Sequence, residues 1–398
     1  MAAFLLVIIY FAFISLGLPD GMLGAAWPVM RGDFNLPLGS AGFVSMTISA
    51  STILSALFSV KLIKKWGTGL VTAVSALFTA AALLGFSLAP SFCFLFLLAL
   101  PLGLGAGAVD SGLNEYVAEH YKASHMNFLH SFWGVGALSG PVIMGLFLQT
   151  QESWRGSYKL VAIIQFVLVV LLFVSLPVWA SQTKKTKTAR ESEENANNTN
   201  KESLKEVLRK KGVKGVLAGF MLYTGLESTM GLWGASYLKE VQGFSADRAA
   251  VWVSLYYGGI TAGRFLSGIF AMKFKNIHLL KTGAIIIVSG TVLLLASLIP
   301  AAGEFAALAG FILIGLGCAP IFPGMLHETP VRFGKTHAQT LMGLQMAVAY
   351  TSVTLLPPLF GWTATIFSTA LLPFFVFVYA AGLFILNRRT NRIFHSAS

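Results

Sequence analysis

The sequence predicts an all-α membrane protein in which twelve transmembrane helices form two pseudo-repeated six-helix bundles. Three observations predict it: a composition too apolar for water, twelve apolar runs of spanning length, and short motifs recurring at nearly one offset. Of 398 residues, 56% are hydrophobic and only 11% charged, and the mean hydropathy is +0.74. A soluble domain carries about 25% charged residues to cover its surface. A soluble enzyme, a disordered chain and a secreted disulfide scaffold are therefore excluded. Cys93 and Cys318 both lie in apolar stretches, so neither a disulfide framework nor a zinc cluster is available. No metal or other cofactor is expected.

A helix needs about 20 apolar residues to cross the hydrocarbon core. Runs of that kind lie at roughly 4–30, 38–60, 67–90, 92–119, 125–149, 158–180, 212–238, 248–272, 277–300, 304–330, 337–364 and 367–387. The first has no basic flank, is too long for a signal peptide and precedes no small-residue cleavage pattern, so it reads as span one.

The net charge of +12 resembles a nucleic-acid signal until it is located. Ten of the 28 Lys and Arg fall within 181–214, and no basic stripe alternates with base-stacking aromatics. No nucleic-acid partner is expected; the neighbours are membrane lipids. Placing both termini in the cytoplasm puts 22 basic residues on that side. Only Arg31, Arg155, Lys159, Lys239 and Arg248 then lie opposite, with Arg264 left inside span eight. That is the basic bias of a multi-pass protein of a bacterial-type cell membrane.

The only long polar stretch divides the chain into an N-terminal six-helix bundle (1–180), a cytoplasmic linker (181–211) and a C-terminal six-helix bundle (212–398). The linker is too polar to bury a core. Its last part, 202–211, alternates like a helix lying on the membrane surface, and the sequon at 197–199 has no role in a cytoplasmic loop.

The six-plus-six division invites a search for duplication. GLPDGMLGAAWP from Gly17 answers GLESTMGLWGAS from Gly225, and FVSM around Ser45 answers WVSL around Ser254. GLGAGAVDSGLNE from Gly103 answers GLGCAPIFPGMLHE from Gly315. The offsets run from 208 to 212. Two parallel halves around a midplane site are a standard transporter plan, so alternating access to a central cavity is expected.

An ionisable side chain at mid-bilayer costs roughly 2.5–3.5 kcal/mol or more, which marks it as functional. Spans one, four and seven contain Asp20, Asp110, Glu115 and Glu227, against the one cation Arg264 in span eight. Carboxyls in such excess must stand in water or take up a proton, so Asp20, Asp110 and Glu115 are the expected proton-coupling groups. Glu115 lies nearer the cytoplasm and also suits a water-exposed gate. Glu227 precedes Trp233 and Tyr237 on one helix, the pairing of acid and aromatic face that recognises sugars. Tyr237 fits an outer aromatic belt better, and Trp233 suits either. Asp110 and Asn114 share a helical face, as do His130 and Trp133. With Arg264 and Gln345 these are the expected substrate contacts. Pro141 is expected to kink span five, and Pro320, Pro323, Pro357 and Pro358 to make spans ten and eleven bendable.

These residues carry a resemblance. Twelve spans, a basic central linker and the half-repeat resemble the major facilitator superfamily. AVDSGLNEYV in span four, HSFWGVGALSGP in span five, LYTGLESTMGLWGASYL in span seven and GGITAGRFLSGIF in span eight resemble the fucose–proton symporter family and its bacterial glucose–mannose branch. IGLGCAPIFPGML in span ten adds a weaker match. The resemblance implies proton-coupled uptake of a monosaccharide or similar polar solute by a monomer. On it, the family's span-four acid and amide fall on Asp110 and Asn114, its span-five polar pair on His130 and Trp133, and its span-seven site residue on Glu227. Three positions depart from the pattern. Trp133 replaces an amide, Asp20 stands about a turn from the usual span-one acid, and Lys64 occupies the acid position of the loop after span two. A substrate other than fucose is therefore expected. The rival readings are a proton-driven exporter of drugs or metabolites and a sugar sensor that does not transport. No Ser-His-Asp set, metal cluster or phosphate loop suggests an enzyme.

Overall fold

The computed structural model describes residues 2–121, 123–150, 153–190 and 204–395. Span one is divided into α1 (Ala2–Gly17) and α2 (Met22–Asp33). Spans two to six are α3 (Ser40–Trp66), α4 (Thr68–Leu88), α5 (Phe92–His120), α6 (Ala123–Leu148) and α7 (Ser153–Arg190). A short α8 (Leu204–Arg209) precedes spans seven to nine, which are α9 (Val213–Glu240), α10 (Ala246–Ala271) and α11 (Asn276–Ala296). Span ten is divided into α12 (Gly303–Cys318) and α13 (Ile321–Phe333). The last two spans are α14 (Lys335–Ile366) and α15 (Leu372–His395). All twelve expected spans are present. By length and composition alone, nine helical stretches among the described residues suffice to cross a membrane. The other three, α9, α10 and α14, are the more polar spans, which carry Glu227, Arg264 and Gln345.

Large apolar side chains on the outside confirm the solvent: Leu57, Val174 and Phe305 are each more than two-thirds exposed. In water such a surface would aggregate.

Two departures from the sequence reading have local causes. Span one unwinds over residues 18–21, where Pro19 lacks a backbone N–H and stands between Gly17 and Gly21. Span ten breaks at Ala319 and Pro320 for the same reason, whereas α6 and α14 remain helical through Pro141, Pro357 and Pro358. Near the linker, α7 continues to Arg190, past the expected end at 180. The expected surface helix also differs. Val207 of α8 is 1% exposed and packs with Leu208 against Val213, Leu217, Phe333, Leu341 and Leu344, so its apolar side faces protein rather than lipid.

The chain clusters into two compact units. The first comprises Met1–Pro19, Thr47–Gly136 and Arg155–Ser203. Its core joins Ile9 and Phe13 of α1, Leu113 and Tyr116 of α5, and Leu172 and Trp179 of α7. Gln165 Nε2 ties α7 to α1 by donating to the Ser15 carbonyl at 2.8 Å. The second comprises Asp20–Met46, Ala137–Trp154 and Leu204–Ser398, with Phe220, Tyr256, Ile287, Phe311 and Phe360 fully buried. It therefore takes in all of α2 and the ends of α3 and α6 that adjoin α2 and α7 in the chain; these, with the last turn of α2, are here called the distal ends.

Lipid supplies no hydrophobic drive for helices to associate, so tight seams depend on small residues. In the first unit, a Cβ placed on Gly103 of α5 would stand 2.2 Å from the Ile48 carbonyl oxygen of α3. In the second, a Cβ on Gly315 of α12 would stand 2.1 Å from the Tyr256 carbonyl oxygen of α10. Ile48 and Tyr256 are separated by the same interval of about 210 residues that relates the repeated motifs. The duplication seen in the sequence thus reproduces one helix crossing in each half. Gly103→Val and Gly315→Val are expected to cost about 1–3 kcal/mol each through overpacking, read as a lowered thermal midpoint of the detergent-solubilised protein.

Candidate functional site

Polar side chains stand within the spans of each unit. In the first unit, Asn114 Nδ2 donates to Asp110 Oδ1 at 2.9 Å and to the Asp110 carbonyl at 3.0 Å. Four residues separate the two, so α5 stacks them on one face. Both are half-buried, whereas Glu115, next along the helix, is exposed. On α6, His130 is half-buried and meets Phe13 edge-on at 5.9 Å between ring centres. Trp133, one turn on, packs against the core of the unit. Two groups not foreseen in the sequence pair elsewhere in this unit: Tyr10 Oη and His125 Nδ1 are hydrogen-bonded at 2.8 Å, and Phe132 stacks on Tyr10. A phenol on span one, between two and three helical turns before Asp20, was the available signal.

In the second unit, Asp20 stands exposed in the unwound segment of span one, within electrostatic range of Tyr257. Glu227 is half-buried on α9. It lies within the same range of Tyr223, Tyr256 and Tyr257. Tyr256 Oη donates to the Glu227 carbonyl at 3.1 Å. Arg264 lies near Tyr223 and Cys318. The buried Tyr223 Oη faces the Glu227 carboxyl. These tyrosines were missed by the sequence reading, although Tyr223 stands four residues before Glu227 and so on its face.

Other expected residues are committed elsewhere. Trp233 is fully buried and its Nε1 donates to the Pro357 carbonyl at 2.7 Å, which ties α9 to α14. Tyr237 is also fully buried and bonds Ser297 Oγ at 2.6 Å, so it is an internal strut rather than part of an aromatic belt. Gln345 is buried too. Its Oε1 accepts from Thr329 Oγ1 at 2.8 Å, and its Nε2 has no partner among the described residues.

Span ten's inner acid, Glu328, is likewise held in place. Its Oε1 accepts from Asn276 Nδ2 at 2.9 Å, and its Oε2 pairs with Arg332 Nε at 3.3 Å. Arg332 also donates to Asn391 Oδ1 at 2.7 Å. Among the described residues no group of three or more His, Cys, Asp or Glu is placed to hold a metal ion. What the spans offer chemically is two half-buried carboxyls, Asp110 with an amide partner and Glu227 among tyrosines. Removing one partner of a buried ion pair costs about 3–5 kcal/mol. Arg332→Leu is accordingly expected to lower the thermal midpoint strongly, and Glu115→Gln, at an exposed position, to leave it unchanged.

Comparison with known proteins agrees with this architecture. The family model of the Major Facilitator Superfamily matches residues 9–358. No curated protein matches the sequence. Among solved structures, the nucleoside transporter NupG, in a point-mutant form, superposes with a TM-score of 0.76 at 12% identity, covering 97% of this chain and 98% of the other. A bacterial homologue of the human lysosomal transporter Spinster, in an inward-facing and unoccupied conformation, gives 0.71 at 12% identity over 98% of both chains. At such identity these likenesses speak to the fold, whereas the family match covers most of the sequence. The chain therefore belongs to the Major Facilitator Superfamily and is a secondary transporter rather than an enzyme.

Proposed function

We propose that this transporter carries a monosaccharide or similar hydroxyl-rich solute into the cell together with a proton, by alternating access. The observation that carries the proposal is Asp110. Its carboxyl is half-buried in an apolar span, and its hydrogen-bond partner is the neutral amide of Asn114 rather than a cation. A carboxyl so placed keeps both protonation states within reach, because among the described residues no cation pairs with it. Asp20 is the second candidate. It lies in an unwound stretch of span one, and irregular backbone at membrane depth is tolerated where protein buries it or a watery cavity meets it. Glu115 is exposed toward the cytoplasmic end and acts as an exit for the proton.

Substrate recognition falls to the remaining polar groups. The candidates for holding ring hydroxyls are, each within its own unit, Asn114 and His130 in the first and Glu227 and Arg264 in the second. Trp133, half-buried beside His130, supplies an apolar face for a sugar's C–H surface. Trp233 and Gln345 act behind the site by holding α9 and α13 to α14. Both termini and the linker face the cytoplasm in this reading, the distal side faces outward, and the protein works as a monomer.

Uptake by purified protein in liposomes tests the proposal. The panel comprises labelled hexoses, pentoses, polyols and nucleosides, the last because NupG is named a nucleoside transporter. A pH gradient, acid outside, is expected to drive accumulation of at least one sugar or polyol. Asp110→Asn is expected to abolish accumulation while retaining exchange of substrate across the membrane. Glu227→Gln is expected to weaken substrate binding about ten- to a hundredfold, the worth of a hydrogen bond to a charged group. If both Asp110→Asn and Asp20→Asn still concentrate substrate against its gradient, the coupling assignment fails. If nothing but lipophilic drugs is moved, the sugar reading fails with it.

A further inference from the structure

Where α9 begins and α15 ends, the second unit presents cations that the site just described does not use. The two helices run antiparallel and meet along a seam of small residues. A Cβ on Gly215 of α9 would stand 2.9 Å from Thr390 Oγ1 of α15, and one on Gly219 would stand 3.9 Å from Leu386 Cβ. These two rungs fix which side of the seam their neighbours take. Lys214 and Ala218 each precede a contacting glycine by one residue, and Arg389 and Ile385 each precede its partner by one. One residue is a rotation of about 100° around a helix. Because the helices run in opposite directions, equal rotations lead to the same side. Lys214 therefore stands beside Arg389, and Ala218 beside Ile385 one turn further into the span. All four are exposed.

Lys211 joins them. It is exposed on the turn before α9, where Gly212 takes a φ of 88°. A Cβ on Gly212 would stand 2.8 Å from the Phe394 ring, so this turn is seated against the end of α15. Among the described residues no acid pairs with Lys211, Lys214 or Arg389. Glu328 of the adjoining α13 is already taken by Asn276 and Arg332. Local structure does not account for the cations either, since Lys214 lies in the first turn of α9, where the helix dipole disfavours positive charge. The groove is graded along its length. Three cations stand at its mouth, and the apolar rung of Ala218 and Ile385 follows about 6 Å deeper than Lys214.

We infer that Lys211, Lys214 and Arg389 hold the anionic headgroup of a phospholipid from the surrounding bilayer, with an acyl chain lying over Ala218 and Ile385. The chemistry of the groove selects this occupant. A soluble phosphate would use the cations and leave the apolar rung idle. A zwitterionic lipid would bring a cation of its own among three others. A lipid of net negative charge answers both levels, and basic pockets between membrane helices take such headgroups. Each Lys or Arg near the membrane surface favours an anionic lipid about fivefold, so the three together favour it about a hundredfold over a lipid without net charge. The inference needs only that the chain spans a bilayer, and it stands whatever the solute and the coupling ion are.

Native mass spectrometry of the purified full chain, delipidated in a neutral detergent, tests the site without any substrate. The probes are dioctanoyl phosphatidylglycerol and dioctanoyl phosphatidylcholine. One phosphatidylglycerol is expected to bind about a hundredfold more tightly than phosphatidylcholine. Lys214→Gln and Arg389→Gln are each expected to weaken it about fivefold, and both together with Lys211→Gln to remove the preference. A matched triple, Lys61→Gln with Lys64→Gln and Lys65→Gln, removes as much exposed charge from α3 and is expected to leave the preference intact. A preference that survives the first triple, or falls equally in both, would overturn the site. A second variant separates lipid from free phosphate. Ala218→Trp keeps every cation but fills the apolar rung, and is expected to weaken phosphatidylglycerol about tenfold, the worth of about two buried methylenes. Glycerol 3-phosphate, which has the charge without the chains, is expected not to displace the lipid at equal concentration. If it competes as an equal and Ala218→Trp changes nothing, the groove holds phosphate alone and the lipid assignment is refuted.

Discussion

A backbone N–H or C=O without a partner in hydrocarbon costs several kcal/mol, so a chain crossing a bilayer stays helical unless protein or water meets the groups it releases. Most of this protein obeys, through helices of up to 38 residues. The two interruptions fall in spans one and ten, each at a proline that cannot donate. In span one the interruption leaves Asp20 exposed in a non-helical turn at the start of α2. The constraint that keeps the other spans regular therefore makes this irregular stretch informative: a hydrophilic path has to reach it, or neighbouring protein has to satisfy it.

The same solvent governs how the helices hold together. Since lipid tails are as apolar as leucine, association rests on close packing rather than on the hydrophobic effect. Glycine allows that approach at Gly103 against Ile48, at Gly315 against Tyr256 and at Gly24 against Gly231. Each of the first two lies within one six-span half. The third joins span one to span seven and lies under a single half-exposed ion pair.

Charge follows a parallel division. Glu328 is almost enclosed and satisfied by Asn276 and Arg332, and so belongs to the scaffold. Asp110 is paired only with an amide among the described residues, so no ion pair fixes it to the scaffold. Both are acids within apolar spans, and their partners rather than their positions separate them.

The sequence by itself determined the membrane class, the twelve spans, the duplication and the acids worth attention. Each rests on local composition or on a period, and hydrocarbon enforces both residue by residue. The pairing of Asp110 with Asn114 was legible for the same reason, because four residues on a helix fix a face. Only the tertiary structure decided which polar side chains are already engaged. Trp233 is held by a carbonyl 124 residues away and Tyr237 by a serine 60 away, so an apparent binding face and an apparent belt both became internal struts. It alone also placed Tyr10 beside His125 and gathered three tyrosines around Glu227. Hydrogen-bond partners that far apart leave no periodic trace in the chain, since nothing but the packing of whole helices brings them together.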